Sequence, residues 1–240
     1  MNDHARPARP HLRLTEDGRR MREVLSYSRR GGRFTPSQAA AWEKYAERWV
    51  IPDEAVDDPD FTLARCFGRE APLIVEIGPG VGEATGVLAA ARPDHDLLAL
   101  EVWRPGVASA LAEVAAAGAD NVRFCSVDAA WVMEHLIAAD SLAGLWTFFP
   151  DPWPKKRHHK RRLVNRDFAA LAAARLRPGA EWRLATDWDD YAEQMRAALD
   201  AEPLLEGGLV PRWEERPVTK FERKGRAVGR AISDLRYVRT

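Results

Sequence analysis

The sequence predicts an α/β fold in which a mainly parallel β-sheet is covered by helices on both faces. From residue 73 to residue 199, short apolar runs alternate with amphipathic helical stretches. The runs are apolar throughout, as is typical of parallel strands buried on both faces. The chain has 240 residues, 46% of them hydrophobic, which is enough for one domain with a substantial core. We therefore expect a single domain over residues 31–240.

Residues 1–30 are predicted to form a flexible basic tail. They are rich in Arg, Pro and His and contain few large apolar side chains, so burial cannot offset the entropy cost of ordering them. The first helix is predicted to begin after Thr35, because Thr35 and Gln38 have the spacing of a capping box and Pro36 suits the first helical position.

Five strands and five helices then alternate along the chain. The predicted strands are LIVEIG, DLLALEV, VRFCSVD, LAGLWTFFP and WRLATD. The predicted helices are GEATGVLAAA, PGVASALAEVAAAG, AAWVMEHLI, NRDFAALAAARL and DDYAEQMRAAL. After Ala201 the pattern weakens to a segment broken by Pro and Gly, and its end, DLRYVRT, is predicted to add an antiparallel strand to the same sheet.

Charge and cysteine content exclude several classes of protein. Lys plus Arg (36) equals Asp plus Glu (36), so only the distribution of charge can indicate an anionic partner, and basic residues concentrate at 155–162 and 216–239. Cys66 and Cys125 form neither a disulfide framework nor a metal-binding spacing. No apolar run has the length of a membrane span or the pattern of a signal peptide. We expect a soluble cytoplasmic protein without a metal.

A glycine-rich loop follows the first of these strands. Gly78, Gly80 and Gly82 lie between that strand and a helix, where a doubly wound sheet binds a nucleotide. A dinucleotide fingerprint would require glycine at the position of Glu83, which disfavours a nicotinamide enzyme. A tight turn without a ligand is the alternative at this stage.

Acidic residues at the strand ends indicate the kind of ligand. Glu76 and Glu83 would repel a pyrophosphate but suit a ligand that carries an ammonium and a sulfonium, and S-adenosylmethionine is such a ligand. Glu101 ends the second strand, where an acid can accept hydrogen bonds from ribose hydroxyls. Asp128 ends the third strand and can face the adenine amino group, although Asp128 is also well suited to cap a helix.

The stretch FFPDPWPKKRHHKRRL ends the fourth strand above the same crevice. Pro150 and Pro152 stiffen the backbone around Asp151, so Asp151 and Trp153 are held in fixed directions. Trp153 can stack on a base and Asp151 can accept hydrogen bonds from base N–H groups. The alternative for Trp153 is an aromatic side chain that anchors the loop.

Eight successive basic or His residues follow, from Lys155 to Arg162. On the rim of a base-binding crevice such a run favours contact with phosphates, and Arg157, Lys160 and Arg161 are the candidate RNA contacts besides Trp153. The alternative is a solvated charged face.

These motifs resemble the TrmB family of bacterial tRNA (guanine-N7-)-methyltransferases. The resemblance covers the chain from about Arg29 to the C-terminus, and it depends on RRGGRFTPSQ, VEIGPGVGEAT, EVWRPGV, NVRFCSVDA, FFPDPWPKKRHHKRR, ATDW and TKFERKG. It implies a class I S-adenosylmethionine-dependent methyltransferase (Rossmann-like) fold and methylation of the guanine at position 46, in the variable loop of tRNA. Pro79 departs from the family, which often has a bulkier residue between the first two glycines.

The resemblance also assigns roles to individual residues. It implies cofactor contacts at the strand-end acids, of which Asp151 is also the active-site residue, and substrate contacts further along the chain. The implied cofactor-binding acids are Glu76, Glu101, Asp128 and Asp151. The implied substrate-binding residues are Lys155, Asp187, Thr219, Lys220, Phe221 and Glu222.

Guanine N7 carries an unshared pair and no proton, so its methylation requires no general base. Asp151 and Asp187 are therefore predicted to orient the base and to stabilise positive charge on it. The predicted partners are S-adenosylmethionine and tRNA, with the protein a monomer or homodimer. The alternatives are a methyltransferase that acts on another RNA, on a small molecule or on protein, and an RNA-binding protein without catalytic activity.

Overall fold

The computed structural model describes residues 25–27 and 31–240. The helices are α1 (Pro36–Trp49), α2 (Leu63–Phe67), α3 (Thr85–Ala90), α4 (Arg104–Ala117), α5 (Ala129–His135), α6 (Arg166–Arg175), α7 (Asp189–Leu199) and α8 (Lys220–Ala227). The strands are β1 (Val50–Ile51), β2 (Leu73–Ile77), β3 (Asp96–Leu100), β4 (Val122–Cys125), β5 (Leu142–Phe148), β6 (Leu176–Thr186), β7 (Leu205–Val210) and β8 (Ser233–Arg239). Short 3-10 helices lie at Asp53–Asp57 and Lys156–Arg161.

The strands form one sheet in the order β1-β4-β3-β2-β5-β6-β8-β7. The first six of these strands are parallel, while β8 runs antiparallel to both β6 and β7. The order reverses at β2, which pairs with β3 on one side and β5 on the other. Ligands of open α/β sheets bind outside the carboxyl ends of the strands at such a reversal, so the topology places a site above β2.

Residues on the two faces of the parallel strands enter two apolar cores, one on each face of the sheet. Along β2, Val75 packs into the core beneath α5, α6 and α7, and Ile74 packs into the core beneath α1, α3 and α4. Both side chains are buried, as expected for a strand covered on both faces. The rigid double-sided core fixes the strand ends from which the site is built.

Most of the predicted elements are confirmed. The five alternating strands and helices are present, the last strand is antiparallel, and Thr35 caps α1 in a capping box with Gln38. The sequence did not predict β1, α2, β7 or α8. No helix within residues 25–27 and 31–240 combines the length and apolarity that a membrane span needs. The predicted tail lies mostly outside the described residues; its residues Leu25 to Tyr27 are described and contact the site.

Candidate active site

A cavity of about 330 Å³ opens above the carboxyl ends of β2, β3 and β5. Its walls come from the loop after β2, the end of β3, the loop after β5 and the first turn of α8. Candidate residues among those that line it are Glu76, Gly78, Gly80, Glu101, Asp151, Thr219, Lys220 and Phe221. The structure therefore brings the predicted cofactor acids, Asp128 excepted, and part of the predicted substrate segment to one place.

The glycine loop has a backbone shape that side chains would disturb. Gly78, Gly80 and Gly82 all have positive φ angles, of 72°, 62° and 82°. A Cβ atom at Gly82 would lie 2.4 Å from the Cβ of Ala110 on α4, so glycine is also required there for close packing. Pro79 is accommodated, and its carbonyl accepts a hydrogen bond of 3.0 Å from the Gly82 N–H. The loop leaves bare backbone facing the cavity.

Glu101 fastens this loop to the end of β3. Its carboxylate accepts hydrogen bonds from the Gly80 N–H at 3.0 Å and from the Trp103 N–H at 2.8 Å. A carboxylate has about four acceptor sites, so these bonds leave capacity for ribose hydroxyls. Asp128 acts as the N-cap of α5, since its Oδ1 accepts from the Trp131 N–H at 3.1 Å. The capping alternative for Asp128 is thus present, and its contact with a cofactor stays a prediction.

Glu76 is the most unusual acid of the site. It is 2% exposed, and its Oε2 atom finds no hydrogen-bond partner among the described residues. Burial raises the pKa of the Glu76 carboxyl to about 7. The neighbouring Thr85 hydroxyl opposes this rise, although the two side chains do not meet the geometry of a hydrogen bond, and the negative charge of Glu101 adds to the rise. An unpaired carboxylate in this position would gain from a cationic ligand.

The cavity fits S-adenosylmethionine. Glu76 offers a buried acceptor for an ammonium, Glu101 offers an acceptor for hydroxyls, and the glycine loop lets a ligand approach the backbone closely. Glu83, which the sequence suggested as a further partner for the ligand's positive charge, has both carboxylate oxygens bonded to α8 instead.

The loop that carries Asp151 has a strained backbone. Phe149 and Trp153, on either side of Asp151, have positive φ angles of 52° and 45°. Such angles are uncommon for large side chains and cost free energy, so the surrounding structure must hold them. Asp151 itself lines the cavity. The two prolines predicted to stiffen this loop are therefore joined by two constrained residues that the sequence did not reveal.

Trp153 and Arg161 are engaged with each other and with the chain's own N-terminal segment. The Arg161 guanidinium carbon lies 3.5 Å from the centroid of the Trp153 ring, covering one face of it. Arg161 also donates to the carbonyls of Leu25 and Tyr27, and the Trp153 indole N–H donates to the Ser26 carbonyl at 2.9 Å. Both side chains thus have partners within the chain, and for Trp153 these contacts match the alternative of an aromatic side chain that anchors the loop. Contact of Trp153 or Arg161 with RNA stays a prediction.

The basic run divides into inward and outward side chains. Arg162 is 2% exposed and donates to the Pro152 carbonyl and to Asp190 at 2.7 Å, so it supports the loop around Asp151 from below. In contrast, Lys155, Arg157 and Lys160 are exposed. Of the predicted basic contacts, these three remain open to an anionic partner.

The segment before and within α8 is held by a buried ionic cluster that sequence reasoning missed. Glu222 is fully buried and accepts from Arg212, Arg216 and Arg226, while the fully buried Arg216 also binds Asp234 at 3.0 Å. Burial alone would raise the pKa of the Glu222 carboxyl, but Arg212 and Arg216 outweigh it and hold the pKa below its ordinary value. Glu222 is thus without exposed surface in this structure and positions α8. Its implied contact with the substrate stays a prediction.

Of the other predicted substrate residues around α8, some line the cavity and others are engaged in contacts within the fold. Thr219 is the N-cap of α8, with its hydroxyl accepting from the Glu222 N–H at 3.3 Å. Lys220 and Phe221 line the cavity, and Phe221 is 52% exposed. Asp187 is not among the residues that line the cavity, and it accepts from Arg230 at 2.8 Å. Its negative charge is therefore already paired.

Comparisons with known proteins agree with this geometry. Residues 70–235 match the family model described as "Putative methyltransferase". A tRNA (guanine-N(7)-)-methyltransferase of Nocardioides sp. is 71% identical over 237 residues, which cover 99% of this chain and 96% of that relative. The enzyme of the same name from Cutibacterium acnes is 47% identical over 231 residues, covering 91% and 84% of the two chains. A solved antibiotic-related methyltransferase has the same fold, with a TM-score of 0.51 and 17% identity over 78% of this chain and 98% of that one.

The fold, the glycine loop and the strand-end acids define a class I S-adenosylmethionine-dependent methyltransferase. Because the similarity to curated relatives extends over nearly the whole chain, the particular family also follows. The chain belongs to the tRNA (guanine-N(7)-)-methyltransferase family.

Proposed function

We propose that this chain transfers the methyl group of S-adenosylmethionine to N7 of a guanine in the variable loop of tRNA. The observation that supports this most directly is the shared cavity: Glu76 and Glu101, which are proposed to bind the cofactor, line the same space as Asp151 and Phe221, which are proposed to meet the base. The family and the names of its members support the choice of acceptor. A tRNA substrate also implies a cytoplasmic location.

Positioning is the chief task of the protein in this reaction. S-adenosylmethionine supplies an electrophilic methyl group, and guanine N7 has a free electron pair and no proton to lose, so no side chain has to act as a base. The guanine must instead be held with N7 in line with the methyl–sulfur bond, at roughly 3–3.5 Å. The strained loop holds Asp151 in place to accept hydrogen bonds from the base.

Electrostatic stabilisation is the second task. Positive charge develops on the purine as the methyl group arrives, and the Asp151 carboxylate at the cavity wall can stabilise it. We assign this role to Asp151 because it lines the cavity, whereas Asp187 does not line it and pairs with Arg230. Asp187 is proposed to act on the substrate through Arg230, whose side chain is 43% exposed.

The rim of the cavity supplies the contacts to the rest of the RNA. Phe221, half exposed beside the glycine loop, is proposed to pack on the target base. Lys155, Arg157 and Lys160 are proposed to bind phosphates, which would add affinity without base discrimination.

The test is incubation of the protein with methyl-labelled cofactor and an unmodified tRNA transcript, followed by nucleoside mapping. We expect label in 7-methylguanosine at one variable-loop position, and no label in a matched transcript whose target guanine is replaced by adenine. Label in the protein itself, in another nucleoside, or equally in both transcripts would contradict the proposal.

A further inference from the structure

Glu83, the residue after the third glycine of the cofactor loop, is bonded to α8. Its Oε2 accepts a hydrogen bond of 2.5 Å from the Lys220 backbone N–H, and its Oε1 accepts one of 2.9 Å from Arg223. Lys220 is the first residue of α8, so this N–H has no partner within the helix. A carboxylate beside the first turn also interacts favourably with the helix dipole.

A second contact joins the same loop to the same turn of α8. Phe221 lies beside Gly80, and its Cε2 atom is 4.0 Å from the place that a Gly80 Cβ would occupy. The loop thus contacts the first turn of α8 at two positions, Gly80 and Glu83. The same turn of α8 is held from below by Glu222 in the buried arginine cluster. The loop is consequently the part of this arrangement that a bound cofactor would contact directly.

We infer that Glu83 is a positioning residue that couples cofactor binding to tRNA binding. When the glycine loop adopts the shape that the cofactor requires, Glu83 holds the start of α8 so that Lys220 and Phe221 face the acceptor base. The inference rests on the proposed function, since the residues that it positions are those proposed to meet tRNA. The role of Glu83 differs from that of a direct cofactor ligand, because Glu83 acts through α8. Glu76, in contrast, has an unpaired oxygen that is available to the cofactor.

The expected coupling is modest. The Arg223 side chain is 56% exposed, so solvent screens its ion pair with Glu83, and most of the effect must come from the bond to the Lys220 N–H. We expect bound S-adenosylhomocysteine to tighten tRNA binding about five- to tenfold in the parent, at the low end of usual coupling between two sites. By reciprocity, tRNA should tighten binding of S-adenosylhomocysteine by the same factor.

The experiment measures tRNA affinity with and without saturating S-adenosylhomocysteine in the parent, Glu83→Ala, Glu83→Gln and Arg223→Ala. Glu83→Ala should reduce the coupling factor to about one, while its affinity for S-adenosylhomocysteine alone stays within about twofold of the parent. Glu83→Gln should keep part of the coupling, because its amide oxygen can still accept from Lys220. Arg223→Ala should keep most of it, and Glu193→Ala, an exposed glutamate on α7, should change nothing.

Each contrary result has a distinct meaning. A Glu83→Ala variant with the parent's coupling factor overturns the inference, as does a parent with no coupling. Weaker binding of S-adenosylhomocysteine alone, with coupling retained, would make Glu83 a cofactor ligand. A parent that binds tRNA and cofactor but transfers no methyl group would overturn the proposed function instead, because the coupling is measured without turnover.

Discussion

The buried Glu76 carboxyl should make the cofactor-free protein less stable as the pH rises. Its pKa is about 7 in the folded protein against an ordinary value of 4.5, so between these values the folded state holds a proton that the unfolded chain has released. The free energy of unfolding therefore falls as the pH rises from 4.5 to about 7. At about 1.4 kcal/mol per pH unit, the cost above pH 7 is at most about 3 kcal/mol. Glu76→Gln removes the charge, so without cofactor it should be more stable than the parent at pH 8 by up to that amount.

The assay is urea unfolding of both proteins without cofactor at pH 8 and pH 5. The advantage of Glu76→Gln should shrink toward pH 5, where the parent carboxyl is mostly protonated. Cofactor affinity supplies an independent check, because an ammonium binds the ionised form: S-adenosylhomocysteine should bind the parent about tenfold more weakly at pH 6 than at pH 8. Glu76→Gln should bind it weakly at both values. A variant that is no more stable than the parent at pH 8, or an affinity without pH dependence in the parent, would refute this reasoning.

Three further outcomes are expected from other parts of the site. Glu101→Ala should weaken binding of S-adenosylhomocysteine by about 1.5–3 kcal/mol, because the variant loses a charge-assisted hydrogen bond to the ligand and the hydrogen bond from the Gly80 N–H. An unchanged dissociation constant in calorimetry would remove Glu101 from the site. Asp151→Asn should lower the single-turnover rate far more than tRNA affinity, and its rate should not recover at high pH, since recovery would mean that Asp151 acts as a base. Replacing both Arg157 and Lys160 by Ala should weaken the binding of all tRNAs alike. The slope of log affinity against log salt should become smaller in magnitude by about 0.7–0.9 per lost contact. If filter binding across a salt series shows the parent's slope, both cations only face solvent.

The sheet and the cofactor side of the site could be predicted because the information is local. Strands that are apolar on both faces, as in LIVEI and DLLAL, leave few alternatives to a parallel sheet, and acids at the ends of such strands meet at one edge. The glycine loop was recognisable for the same reason, since its spacing reflects the turn between β2 and α3. The partner of Glu83 could not be read from the loop, because Lys220 is 137 residues away.

The substrate side was harder because its contacts are distant in sequence. The segment KFERKGRA has few apolar residues, and it forms a helix whose Glu222 lies in a buried ionic cluster. Two other members of that cluster, Arg216 and Asp234, lie outside the segment. A run of cations likewise does not reveal which of them turn inward. Arg161 and Arg162 are adjacent to exposed Lys160, yet one stacks on Trp153 and the other is buried against Asp190. Those choices depend on packing that a linear pattern does not contain.

Methylation at N7 can be tested with a tRNA transcript in which the target guanine is replaced by 7-deazaguanine. This base keeps the Watson–Crick edge that Asp151 is proposed to meet but has carbon in place of N7. We expect the modified tRNA to bind as tightly as the unmodified tRNA but to accept no methyl group under single-turnover conditions, while the unmodified tRNA is methylated. Methyl transfer to the 7-deazaguanine transcript at a comparable rate would show that N7 is not the acceptor.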